Sequence, residues 1–174
     1  YFENCDKRSS IYPTVISTLK NLKSKYTICL CTNKKQYLTD KILKSYEIEK
    51  YFDYILGSNS ELKLKPDSEM LNFILKKFNL NPENCMMIGD SHNDIIPANK
   101  LKMLSVYVTY GYGKFDDNLE VDYKIDKFQK LHALHNCCET ASIWQSSSSN
   151  DDGNISMPLF KHLLEMKSEA ATVK

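Results

Sequence analysis

Apolar residues recur along this chain in two alternating rhythms. From Pro13, the positions Val15, Ile16, Leu19 and Leu22 fall at helical spacing with Lys20, Lys23 and Lys25 between them. That spacing predicts an amphipathic helix opened by a proline. The run YTICLC at 26–31 is short, apolar and rich in β-formers, the pattern of a buried strand. Leu38, Ile42, Leu43 and Tyr46 predict a second helix, and FDYILG at 52–57 a second strand ending in glycine. After Lys65-Pro66, Asp67 is placed to cap a helix striped by Met70, Ile74 and Phe78 and backed by Leu71 and Leu75. CMMIG at 85–89 predicts a third strand, 91–101 a helix, MLSVYVT at 103–109 a fourth strand and VDYKI at 121–125 a short fifth. Short buried strands alternating with amphipathic helices predict an α/β domain built on a parallel sheet.

The ends differ from this core. Residues 1–12 are polar and irregular and read as a linker, which leaves the core at 13–145. The stretch SSSSNDDGN at 146–154 is a flexible linker by composition. Within the 146–174 tail, Leu159, Phe160, Leu163 and Leu164 are spaced for one short amphipathic helix, frayed or loosely docked rather than partner-binding. The chain opens on Tyr1 and not on methionine, so it is expected to be a processed product or a fragment.

Composition narrows the class. A length of 174 residues suits one domain with a real core, and 42% hydrophobic with 26% charged residues is ordinary for a globular protein. The net charge of +1, with no concentrated basic run, argues against nucleic acid as a partner. Uninterrupted apolar stretches reach about five or six residues, far short of the ~20 that a membrane span needs. No secretory leader is visible. Of the six cysteines, Cys29 and Cys31 sit in an apolar run and Cys85 precedes another; Cys137 and Cys138 are adjacent, and Cys5 stands alone. No C-x-x-C pair suggests zinc. A reduced, cytoplasmic protein is expected. The sequence leaves the oligomeric state open.

Candidate chemistry gathers where the strands are predicted to end. In a parallel α/β sheet, ligands bind beyond the carboxyl ends of the strands. The first predicted strand runs into Thr32 and Asn33, whose hydroxyl and following N–H groups suit an anion such as phosphate. The third ends in Gly89-Asp90, with Asp94 one helical turn on. Two clustered carboxylates repel, and a Mg²⁺ ion bound through one or two of them relieves that repulsion. Lys65 is a compact cation able to neutralise a phosphate. Each residue also has a plain structural reading: Thr32 and Asp90 as caps, Asp94 and Lys65 as solvated surface. Their joint placement at strand ends favours a site. His92 reads as an exposed loop residue rather than a ligand.

These residues carry a resemblance to the haloacid dehalogenase (HAD) superfamily. ICLCTN resembles its second motif with Thr32, LKPD its third with Lys65, and MMIGDSHND its fourth, in the phosphatase form G-D-S-x-x-D. YPTVISTLKNLK, TNKKQYLTDKIL, YFDYILG, KPDSEML and VTYGYG together are similar to phosphoglycolate phosphatases over roughly 11–125. The resemblance implies a Rossmann-like core and a covalent route through an aspartyl phosphate on a small phosphorylated metabolite. It assigns Thr32 and Asn33 to the phosphoryl group and Lys65 to its charge. Asp90 is assigned to Mg²⁺, and Asp94 to Mg²⁺ or to its waters and Lys65.

The chain also departs from that family. Its first motif, D-x-D-G-T, supplies the nucleophile and acid–base aspartates and occurs nowhere here; Asp6, in NCDKRSS, is followed two residues on by Arg8. The first strand and helical cap are thus expected upstream of Tyr1, with 1–12 as the exit from that cap. In the family that strand lies between those ending at Thr32 and Asp90. Its absence implies unpaired backbone at the sheet centre and a marginal, aggregation-prone domain, unless those two strands pair directly or another chain fills the gap. A cooperative melt above about 60 °C would contradict this. Two functional alternatives share the motifs: sugar-phosphate phosphatases or β-phosphoglucomutases, and a truncated, inactive binding protein. A phosphoacceptor receiver domain is excluded, because its acidic residues precede its lysine in the chain.

Overall fold

Short apolar runs pair in parallel here because each is buried on both faces by amphipathic helices. The computed structural model describes residues 9–59, 61–113, 118–131, 134 and 164–166. In chain order these form β1 (Ser9–Ile11), α1 (Val15–Lys23), β2 (Cys29–Lys35), α2 (Gln36–Ser45), β3 (Tyr54–Ser58), α3 (Glu69–Lys77), β4 (Met86–Gly89), α4 (His92–Lys100), β5 (Leu104–Val108), β6 (Tyr123–Ile125) and β7 (Leu164–Met166). The expected α/β class with parallel strands flanked by helices is what the structure has.

The parallel strands fall into two sets. β2 pairs with β3, and β4 with β5, which pairs with β6. Among the described residues, β2 and β4 are not hydrogen-bonded to each other. Side-chain alternation nevertheless places both sets in one layer. Leu30 of β2 shares a cluster with Met86 and Ile88 of β4 and with Val15, Leu19 and Leu22 of α1. Cys29 and Cys31 share the opposite cluster with Met87 and with Met70, Leu71, Ile74 and Leu75 of α3. The sheet is thus covered by α1 on one face and α3 on the other. Each fully buried aliphatic side chain in these layers contributes about 1.5–3 kcal/mol.

Boundaries moved where polar contacts override composition. β2 begins at Cys29 because the residue before it is held by a side chain: Ile28 N–H donates to Asp53 Oδ2 at 2.8 Å. The strand then runs past its apolar part into polar residues as far as Lys35, which pairs with Ser58 after a register shift between Cys31 and Lys35. The helix therefore opens at Gln36 and not directly behind Thr32. Asp67 meets its expectation in part, since Oδ1 accepts from Glu69 N–H at 2.9 Å while Ser68 is the formal cap. Ser9–Ile11, read as linker, forms a short antiparallel pair with Leu164–Met166. Leu164 is thereby in a strand and not in a helix; Leu159, Phe160, Leu163 and the 146–154 stretch lie outside the described residues. Three-residue strands leave no period for a sequence pattern to reveal.

Cys29, Cys31 and Cys85 are buried thiols outside any disulfide, in line with the expected use of cysteine as a small hydrophobe; Cys5, Cys137 and Cys138 lie outside the described residues. Burial, reinforced at Cys29 by nearby Asp53, pushes the thiols of Cys29 and Cys85 from the ordinary 9.0 up to about 12. The unfolded chain releases these protons near pH 9 and the folded chain holds them to about 12. Stability from these groups is therefore complete below pH 9 and is lost as pH rises through that window. The two thiols are expected to resist iodoacetamide at pH 8 in the folded protein and to react on unfolding in urea. Rapid alkylation of either without urea, read by mass spectrometry, would contradict this.

Candidate functional site

Lys65 is the centre from which the site is built. It stands in the loop ahead of α3, joined to Pro66 by a cis peptide bond, and is 2% exposed. Its Nζ donates to the Cys31 carbonyl at the end of β2's apolar part (2.6 Å) and to Asp94 Oδ1 in α4 (2.8 Å). Asp94 is itself 0% exposed, and its Oδ2 accepts from Ser91 Oγ at 2.9 Å. A lysine and an aspartate removed from water this completely persist only when paired and hydrogen-bonded. The ion pair links β2 to α4 at the carboxyl end of the sheet, where the two sets of strands do not pair.

Asp90 follows β4 directly and is 1% exposed. Its Oδ2 accepts from Gly113 N–H at 2.8 Å, and its Oδ1 is buried without a hydrogen bond. Three glycines, Gly89, Gly111 and Gly113, are required here by close approach to the two aspartates. A Cβ at Gly89 would overlap the side chain of Asp94 as it folds back over the strand end, and a Cβ at Gly113 would overlap the main-chain carbonyl of Asp90. The glycine in G-D-S-x-x-D therefore has a packing reason: Asp94 reaches Lys65 only by crossing that position. Gly113→Ala is expected to cost about 1–3 kcal/mol, as overpacking does. An unchanged urea midpoint would show the loop yielding freely.

Thr32 is half-buried in β2, where its Oγ1 accepts from Lys34 N–H at 3.2 Å. Its hydroxyl proton remains able to donate. Asn33 turns its side chain to the main chain of Lys65, donating from Nδ2 to the Lys65 carbonyl (2.7 Å) and accepting from Lys65 N–H at Oδ1 (3.0 Å). His92 is exposed at the start of α4, as its sequence position suggested.

Several residues around the site sit in the family-like motifs but are not candidates on sequence alone. Gly113 and Ser91 hold the two carboxylates, and Tyr110 stands close by. Burial first, then Tyr12 and Asp90, push the Tyr110 phenol above its ordinary range; Tyr12 Oη donates to the Tyr110 carbonyl at 3.2 Å. The G-Y-G of VTYGYG was the available signal, since closely spaced glycines after a strand mark close backbone approach. A cavity of about 600 Å³ lined by Glu83, Asn99, Lys102, Ser105 and Asp122 lies by the opposite, amino ends of β4 and β5 and includes none of these residues.

The model of the haloacid dehalogenase-like hydrolase family matches residues 2–108, well over half of the chain. The chain belongs to the haloacid dehalogenase-like hydrolases. Phosphoglycolate phosphatases from Vibrio vulnificus and Vibrio cholerae are 37% and 34% identical to it over 134 residues, 75% of this chain and 59% of each relative. A predicted phosphoglycolate phosphatase from Haemophilus somnus superposes with a TM-score of 0.67 at 30% identity, over 72% of this chain and 57% of that one. A HAD-type hydrolase from Bacillus subtilis, described as bound to magnesium, has the same fold at 20% identity and a TM-score of 0.66, over 71% of this chain and 55% of that one. This HAD chain therefore spans between half and three-fifths of the length of the curated relatives it matches. No helix among its described residues is long and apolar enough to cross a membrane.

Proposed function

We propose that this HAD chain is the core of a Mg²⁺-dependent phosphomonoester hydrolase acting on a small phosphorylated metabolite, with 2-phosphoglycolate as the substrate its relatives' names suggest. The observation that carries the reading is the buried Lys65–Asp94 pair, set beside Thr32 and Asp90 at one end of the sheet. A buried ammonium held between a carbonyl and a carboxylate is preorganised to meet the negative charge of a phosphoryl group. Thr32 donates its hydroxyl to that group, and the N–H of Asn33 lies next to it. Asp90 is the carboxylate for Mg²⁺, a hard cation that takes one or two carboxylates and otherwise water and phosphate oxygens. That donor chemistry fits a buried carboxylate at a strand end. When bound, the ion would neutralise phosphate charge. Asp94, with both oxygens engaged by Lys65 and Ser91, serves the site chiefly by holding Lys65.

Among the described residues no group of three or more His, Cys, Asp or Glu side chains is placed to hold a metal ion. The aspartyl-phosphate route requires a nucleophilic aspartate in addition to Asp90 and Asp94, so that residue would come from outside the described residues. A cytoplasmic, reduced setting agrees with the three buried thiols among the described residues, none of them in a disulfide. The test is phosphate release by the full-length protein from a panel of phosphomonoesters with and without Mg²⁺. Turnover of 2-phosphoglycolate that disappears with chelator is expected, and preference for a sugar phosphate would move the substrate assignment only. No turnover of any phosphomonoester would overturn the reading. Phosphate or Mg²⁺ binding without turnover would instead favour the inactive binding protein.

A further inference from the structure

Asn33 lies next to Thr32, yet its side chain is directed to a residue 32 positions further along the chain. Its amide engages both main-chain groups of Lys65, donating from Nδ2 to the carbonyl at 2.7 Å and accepting from the N–H at 3.0 Å. A planar amide bonded on both edges to one residue fixes that residue's position and orientation together. Apart from the two bonds made by Lys65 Nζ, the other hydrogen bonds described in this loop are local, among them Glu61 and Leu62 to Asn59 and Asp67 to Leu64. None of them ties the main chain of Lys65 to β2.

We propose that Asn33 is a positioning residue for Lys65: its side chain clamps the Lys65 backbone so that Nζ arrives between the Cys31 carbonyl and Asp94. A lysine is a point charge on a flexible four-carbon stem. Its Nζ reaches two acceptors 2.6 and 2.8 Å away only while the stem starts from a fixed Cα. The clamp supplies that fixed start. Asn33 thus acts on the phosphoryl group through Lys65, and its side chain is not itself a phosphate ligand. The catalytic consequence rests on the phosphatase reading above; the structural one does not.

The experiment separates the two. Full-length wild type, Asn33→Ala and Asn33→Asp are treated briefly with an amine-acylating reagent, and each lysine is quantified by mass spectrometry. Exposed Lys63, two residues upstream, is the internal reference. Two neutral hydrogen bonds at about 1 kcal/mol each predict that Lys65 acylation relative to Lys63 rises about tenfold or more in Asn33→Ala. Asn33→Asp retains the acceptor and is expected to rise severalfold less. An unchanged Lys65 ratio in Asn33→Ala overturns the proposal. If circular dichroism shows that variant unfolded, the Asn33→Asp ratio decides alone, and an unchanged value there overturns it too. The kinetic arm asks for a fall in kcat of about tenfold to a hundredfold with KM nearly constant, as a misplaced charge gives. A raised KM with constant kcat marks Asn33 as a direct phosphate contact and overturns the proposal. If the wild type hydrolyses no phosphomonoester, the phosphatase reading fails while the acylation ratios still decide the clamp.

Discussion

Lys65→Met is expected to destabilise the protein by about 3–5 kcal/mol, because it removes the partner of a buried carboxylate and leaves the carboxylate behind. Both side chains of the pair are 0% exposed, so solvent does not screen the loss. Methionine roughly preserves the volume of the lysine stem, which keeps cavity formation out of the comparison. Asp94 would retain its bond from Ser91 Oγ, which offsets only part of the cost. The control is the double variant Lys65→Met with Asp94→Leu, which removes both charges. Replacing a buried ion pair by apolar residues of similar size is often neutral or better, so the double variant is expected to recover most of the stability. Urea unfolding midpoints of wild type, both single variants and the double complete the cycle. Losses that simply add would show that the pair has no coupling and that Asp94 does not hold Lys65.

The elements that sequence pattern located best are those whose burial is periodic. The stripes of α1 and α3 and the apolar runs of β4 and β5 each repeat one rhythm for several residues, and a repeated rhythm leaves few alternatives. Pattern failed where a polar group does the holding. The stretch after Cys31 reads as the end of a strand because it turns polar, yet it continues to Lys35 by pairing with β3. The start of β2 was likewise set by the Asp53 carboxylate, 25 residues away and invisible to local reasoning. At the site, residue types at strand ends were enough to bring Thr32, Lys65, Asp90 and Asp94 into one expectation, and the fold brings Lys65 and Asp94 into contact. The side chain of Asn33 was not legible. Its neighbour Thr32 suggested phosphate, whereas its partner is a backbone segment placed there by a loop. Gly113 was marked only by the G-Y-G spacing, because its contact depends on how the chain returns over Asp90 after β5.

Asp90→Asn is expected to separate charge from shape. The asparagine carbonyl can accept the same hydrogen bond that Gly113 N–H gives to Oδ2, and the two side chains are nearly equal in size. Folding stability should therefore change by less than about 1 kcal/mol, a contrast with the several lost at Lys65. What disappears is one negative charge at the position proposed for Mg²⁺. A metal ion that stabilises phosphate charge is worth several kcal/mol in the transition state, so turnover by the full-length protein should fall about a hundredfold or more. The Mg²⁺ concentration for half-maximal activity should rise at the same time, since a carboxylate has been exchanged for a neutral oxygen. The decisive comparison is with Asp94→Asn, which leaves Lys65 buried beside a neutral partner and should lower the melting temperature as well as the rate. If Asp90→Asn keeps both its activity and its Mg²⁺ requirement, Asp90 is not the metal carboxylate. Its burial beneath the Gly111–Gly113 loop would then be a matter of packing alone.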